Sequence, residues 1–138
     1  MSEQLASLHK KGGGGIEAKL LWTNSAPTSS YAAQTLAIDL SEYDGIILKC
    51  IGIYSAAQTF PNIRNTQQFI PKSFSGTLLF GTFESSGNIY ISYRTVNVTN
   101  NGIVFGSGYQ RTGASIASND TRAIPYEVWG VKGTTFTE

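Results

Sequence analysis

Histidine is almost missing from this chain. His9 is the only one, and it sits in an N-terminal stretch unlike the rest. No imidazole is left in the main body to orient a nucleophile, which excludes a Ser-His-acid hydrolase. Cysteine is as scarce. Cys50 stands alone in an apolar run, so no intrachain disulfide forms, and the thiol reads as a small buried hydrophobe without a base partner. One His and one Cys at distant positions do not make a zinc or iron site. Charge is low too, with 14% of residues Asp, Glu, Lys or Arg against about 25% in ordinary globular chains. The net charge of +1 favours neither nucleic acid nor insertion at an anionic membrane, and it gives copies little mutual repulsion. No run approaches the roughly 18 apolar residues of a membrane helix, and residues 1–11 lack the core of a secretory signal.

What is present is a succession of strands. The chain is organised around residues 33–54 (AQTLAIDLSEYDGIILKCIGIY). In the first part Leu36, Ile38 and Leu40 alternate with Thr35, Ala37 and Asp39, the period of a half-buried strand. From Gly45 onwards apolar residues occupy both parities, broken only by Lys49, which predicts a central strand covered on both faces. The intervening Ser41-Glu42-Tyr43-Asp44-Gly45 has turn chemistry, with Gly45 suited to positive φ.

The remainder follows the same pattern. Residues 16–23 put Ile16, Ala18 and Leu20 on one face, with Trp22 continuing it. Pro61 and Pro71 leave room only for a short edge piece over 67–70. Residues 74–83 and 88–98, joined by Ser85-Ser86-Gly87-Asn88, predict a hairpin, with Gly76 and Gly81 suited to bulges. Thr99-Asn100-Asn101-Gly102 matches a type I′ turn before a strand over 103–110. Residues 111–122 read as a polar loop, and 123–132 as the closing strand. Seven or eight antiparallel strands, with turns about every ten residues, predict an all-β sandwich or jelly-roll-like domain over 16–138.

Residues 1–11 (MSEQLASLHKK) read as a short helix capped by Ser2, with Leu5 and Leu8 on one side and Lys10 and Lys11 near its end. About two or three turns do not hold alone in water, so the stretch is expected to be either a frayed tail or a peg that folds when it docks on a larger body. Gly12 to Gly15 forms a flexible link, not a phosphate loop, since no Gly-Lys-Ser/Thr follows.

Asp39, Glu42 and Asp44 gather at a turn, where acids solubilise or cap. They lack EF-hand spacing, and Asp39 with Asp44 is the least unfavourable of the carboxylate pairs for a small glycoside hydrolase. No catalytic residue, metal or cofactor is expected. The aromatics say more: seven Tyr and two Trp supply packing, and beside Asn, Gln and Arg they also grip sugars or proteins. Tyr109, Gln110, Arg111, Asn119 and Arg122 flank one stretch of chain and are the candidate contact surface. Tyr109 and Trp129 are the aromatic candidates if the domain is a free carbohydrate-binding module.

Several segments together are similar to a known class. Leu20-Leu21-Trp22-Thr23-Asn24, Ala26-Pro27-Thr28, Ala33-Gln34-Thr35 and Asp39-Leu40-Ser41-Glu42-Tyr43-Asp44 resemble, in that order, the small β-rich modules of minor structural proteins in tailed bacteriophages. Ile124-Pro125-Tyr126-Glu127-Val128-Trp129-Gly130-Val131-Lys132 is similar to their last strand. The resemblance implies a virion component assembled in the bacterial cytoplasm, a β-sandwich that forms a homotrimer, and a place in a tail fibre, a head fibre or a capsid decoration. It implies no catalytic residues. On that reading Leu5, Leu8, Lys10 and Lys11 anchor the chain to a capsid or tail protein. The β domain is displayed and touches a host cell-surface glycan.

Overall fold

Strand after strand does form, and the reason is visible in β4 (Gly45–Ile53). Ile46, Leu48, Cys50 and Ile51 are fully buried. Each such aliphatic burial favours the folded chain by about 1.5–3 kcal/mol before ordering costs. The computed structural model describes residues 8–10, 15–53, 65–85 and 87–136. Its other strands are β1 (Leu8–Lys10), β2 (Glu17–Thr23), β3 (Gln34–Ala37), β5 (Asn65–Pro71), β6 (Ser75–Ser85), β7 (Asn88–Thr99), β8 (Gly102–Thr112), β9 (Ser115–Ser118), β10 (Arg122–Lys132) and β11 (Thr134–Phe136).

Two antiparallel sheets pack face to face as a β-sandwich. One has four strands in the order β2-β10-β4-β5. The other has the order β3-β8-β7-β6, with β9 paired to β8 beyond β3. A small third ladder joins β1 to β11. The core fills the space between the two main sheets. Ile46, Leu48, Cys50 and Val128 come from one side, and Phe80, Val96, Val98, Ile103 and Phe105 from the other. Tyr31 and Leu40, from connecting segments, complete it.

The hairpin over 74–98 forms as expected, as β6 paired to β7, but its bulge leaves Phe80 unpaired, while Gly76 and Gly81, the expected bulge positions, pair with Val96 and Ser92. Residues 67–70 lie in β5, an edge strand that ends at Pro71. Other expectations need correction. The two apolar runs of 33–54 do not pair with each other: β3 joins β8 in one sheet and β4 joins β10 and β5 in the other. β4 is covered on both faces only at its end, where Cys50 and Ile51 are fully buried; earlier in the strand Ile47 and Lys49 are half-buried on the outside. Gly45 does not have positive φ; it is needed because a Cβ there would lie 2.5 Å from the Ile70 carbonyl oxygen. In β2 a bulge leaves Leu21 unpaired, so Leu20 faces out opposite Trp129 while Trp22 turns inward opposite Val128.

The N-terminal helix is not what forms over Leu8–Lys10. That segment is extended and pairs with Thr134–Phe136, a ladder that supplies the hydrogen bonds a lone short helix would lack partners to support. The expected link over 12–14, like 1–7 and 11, lies outside the described residues. Residues 111–122 are not a loop: they finish β8 and form β9 before a short turn into β10. The eleven strands among the described residues exceed the expectation because β1, β9 and β11 are short and lack apolar alternation.

The turn at 100–101 differs from the sequence reading as well. Neither Asn has positive φ, as type I′ requires; the positive φ of 139° falls on Gly102 alone. A Cβ on Gly102 would clash with the Leu36 carbonyl oxygen of β3, the neighbouring strand of the same sheet, whose Ala37 is paired with Gly102. Gly102→Ala should therefore destabilise by about 2 kcal/mol or more in urea unfolding; a loss under about 0.5 kcal/mol would show that β3 is not held there.

Candidate functional site

The site is set by a charge buried in the middle of β7. Arg94 has no exposed surface. Its Nε donates to the Ala123 carbonyl at 2.9 Å, Nη2 to the Arg122 carbonyl at 3.1 Å, and Nη1 to the Gly106 carbonyl. One guanidinium thus ties β7 to β8 in its own sheet and to β10 in the facing sheet. The Tyr31 ring lies 5.4 Å from it, a cation–π contact. Burial lowers the pKa of Arg94 from its ordinary value, while Cys50, Asp120 and Tyr31 oppose the shift. The group stays charged, as arginine does in proteins.

Around it the chain is held tightly. Asp120 accepts from the Gly108 amide at 2.9 Å. Asn119 Oδ1 accepts from the Thr121 amide and hydroxyl at 3.0 and 2.6 Å, an Asx turn. Ala123 takes φ of 51°, unusual for a residue with a side chain. Its carbonyl is fixed by Arg94. Gly108 has no room for a Cβ, which would lie 2.5 Å from the carbonyl oxygens of both Arg122 and Asn119. Gln110 Oε1 accepts from Arg122 Nε at 2.7 Å. Of the expected contact residues, Gln110, Asn119 and Arg122 therefore belong to this internal turn.

Tyr109 and Arg111 point the other way. Cross-strand partners share a face, so the register places Leu79, Tyr93, Tyr109 and Ser118 in one outward row. Ile91, Arg111 and Ile116 form the next. The Tyr93 and Tyr109 rings stack at 5.4 Å with planes 13° apart. Leu79, Ile89 and Ile116 are 52%, 64% and 57% exposed. Thr77, Leu79, Ile91, Tyr93 and Arg111 enclose a shallow recess of about 250 Å³. A second, of about 260 Å³, adjoins it at Thr77 and is bordered by Thr95, Asn97 and Val104. Arg111 Nε donates to the Gly113 carbonyl at 2.9 Å, which steadies the guanidinium and leaves its two terminal amino groups for other acceptors.

Trp129 lies on the opposite outer face, so it cannot share a site with Tyr109. Its indole Nε1 donates to Glu127 Oε1 at 2.8 Å. Lys49 Nζ lies 3.3 Å from the same oxygen and 5.3 Å from the ring centroid. Asp39 is an ordinary turn carboxylate: hydrogen bonds from the Ser41 hydroxyl and amide hold its pKa below the usual value. Cys50 is buried and free, and burial pushes its thiol far above the ordinary range. Among the described residues no three His, Cys, Asp or Glu converge as metal ligands, and no helix is long and apolar enough to cross a membrane. Leu8 and Lys10 fall in β1, while Leu5 and Lys11 lie outside the described residues.

Sequence reasoning missed Thr77, Leu79, Ile91 and Tyr93. The alternation of 88–98 already put Ile91 and Tyr93 on one face, but only the register joins them to Arg111. No family model, curated protein or solved structure matches the chain.

Arg94→Met should lower stability by about 3–5 kcal/mol in chemical denaturation, because three carbonyls lose their donor. Arg94→Lys should recover only part of that, since a single ammonium cannot reproduce the fork. A loss below about 1 kcal/mol for the Met variant would mean the guanidinium is not the tie between the sheets.

Proposed function

We propose that this chain is a non-catalytic structural and adhesive module of a bacteriophage particle. It would serve as a head fibre, a capsid decoration or a tail-fibre module that contacts the host cell surface. The phage setting rests on the sequence resemblance over residues 20–44 and 124–132. The adhesive part is carried by one observation: the outer face of the β6-β7-β8 sheet presents Leu79, Ile89, Tyr93, Tyr109 and Ile116 beside the cation of Arg111. A patch of this kind is a contact surface more often than a bare one. A carbohydrate-binding module working free of any particle is the second reading, favoured by the stacked Tyr93–Tyr109 pair.

The low charge supports self-association, and the homotrimer of the resembled modules is the expected assembly. Residues 1–11 are proposed to dock on a capsid or tail protein. The pairing of Leu8–Lys10 with Thr134–Phe136 brings that segment beside the end of β10, so the anchor would leave the domain at one pole. Many displayed copies would convert weak single contacts into firm attachment.

Phage particles purified from the producing bacterium should contain this chain, and labelled antibodies against it should decorate particles at fixed positions. Particles lacking the chain would overturn the virion reading. Light scattering of the isolated protein should give three times the chain mass at micromolar concentration; a single-chain mass would remove the trimer.

A further inference from the structure

We infer that the recess between Tyr93 and Arg111 is a subsite for a pyranose bearing a carboxylate, and this rests on the adhesive reading above. The recess has two unlike walls. Leu79, Ile91 and the ring of Tyr93 form an apolar side, and Arg111 with Thr77 forms a polar one. Arg111 is the only charged residue among the described side chains of this outer face. Covering it with a purely apolar partner would strip water from a guanidinium and return nothing. The occupant must therefore bring an anion and an apolar surface together.

A sugar ring of the uronic type brings both. Its C–H face lies against Tyr93, as aromatic rings accept flat apolar surfaces. Its carboxylate meets the two terminal amino groups of Arg111, a bidentate charge-assisted pair. The hydrogen bond from Nε to Gly113 fixes the fork beforehand, which reduces the ordering cost of binding. Tyr93 and Arg111 are diagonal neighbours across β7 and β8, about 7–8 Å apart at the backbone, within reach of one ring and its exocyclic carboxylate. The adjoining recess shares Thr77 and offers Thr95 and Asn97. It suits the next, neutral ring of an acidic oligosaccharide.

The test uses the full chain, with methyl galacturonide, methyl galactoside and acetate as probes in calorimetry or saturation-transfer NMR. The galacturonide should bind at least tenfold more tightly than the galactoside. Arg111→Gln should bring the two to the same level, and Tyr93→Ala should abolish both, with far-UV dichroism unchanged. Equal binding of acid and neutral sugars overturns the carboxylate assignment. Displacement of the galacturonide by equimolar acetate overturns the sugar and leaves a plain anion site. A change of oligomeric mass in either variant makes the face an interface between copies instead. Adsorption of the tagged chain to host cells separates the two levels: adsorption unaffected by Arg111→Gln sinks the subsite alone, whereas no adsorption of the wild-type chain sinks the adhesive reading itself.

Discussion

A guanidinium in an apolar core is tolerable only when each of its nitrogens finds an oxygen. Arg94 meets that condition without a carboxylate hydrogen-bonded to it, through carbonyls of Gly106, Arg122 and Ala123. Those carbonyls belong to two different sheets. The charge cannot be satisfied unless β10 lies across β7 at one height, so the demand of one side chain fixes the relative placement of the two layers. Apolar packing alone would tolerate small slides, since aliphatic contacts are not directional. The same demand explains the local distortions. β7 and β8 shift register between Arg94 and Val96, Ala123 adopts a left-handed conformation, and Gly108 must be glycine.

The consequence reaches the outer surface through the alternation of the strand. Arg94 points inward, so Tyr93 points outward. Gly108 lies against the Arg94 guanidinium, so Tyr109 points outward beside Tyr93. The stacked tyrosines sit on the reverse side of the tie that holds the sheets. A recess framed by strands pinned this way keeps its shape without a ligand, which is the condition for a small, shallow site to bind at all.

Much of the fold was legible because alternation encodes burial. The period of two in 88–98 located β7, and the apolar run after Gly45 located β4. What escaped reading has a common cause: pairing across the chain. The alternation of 16–23 assigned Trp22 to the face of Leu20, and a bulge against β10 reversed it. Residues 111–122 carry too few apolar positions to announce β9, which exists because β8 offers it an edge next to β3. In the candidate surface, Tyr109 and Arg111 were legible from aromatic and charged chemistry close in sequence. Gln110 stood between them but on the opposite parity, and it is committed to Arg122. Thr77 and Leu79 lie on β6, two strands away from β8, and no local pattern links them to Arg111.

The two outer faces of the sandwich make the functional asymmetry concrete. Both carry aromatic and aliphatic groups beside a cation. On the four-stranded sheet the groups satisfy one another: Glu127 accepts from Trp129 and pairs with Lys49, which in turn covers the indole. A ligand arriving there would have to break interactions already made. On the five-stranded sheet no described carboxylate pairs with Arg111, and its anchor engages only Nε. Among the described side chains, binding there adds interactions to the terminal amino groups of Arg111 without removing any. Net affinity follows that difference and not the number of aromatic residues, because exposed groups already paired return little when they change partners. Trp129, the more hydrophobic residue, is thus the poorer candidate for recognition, and the face around Tyr93 the better one.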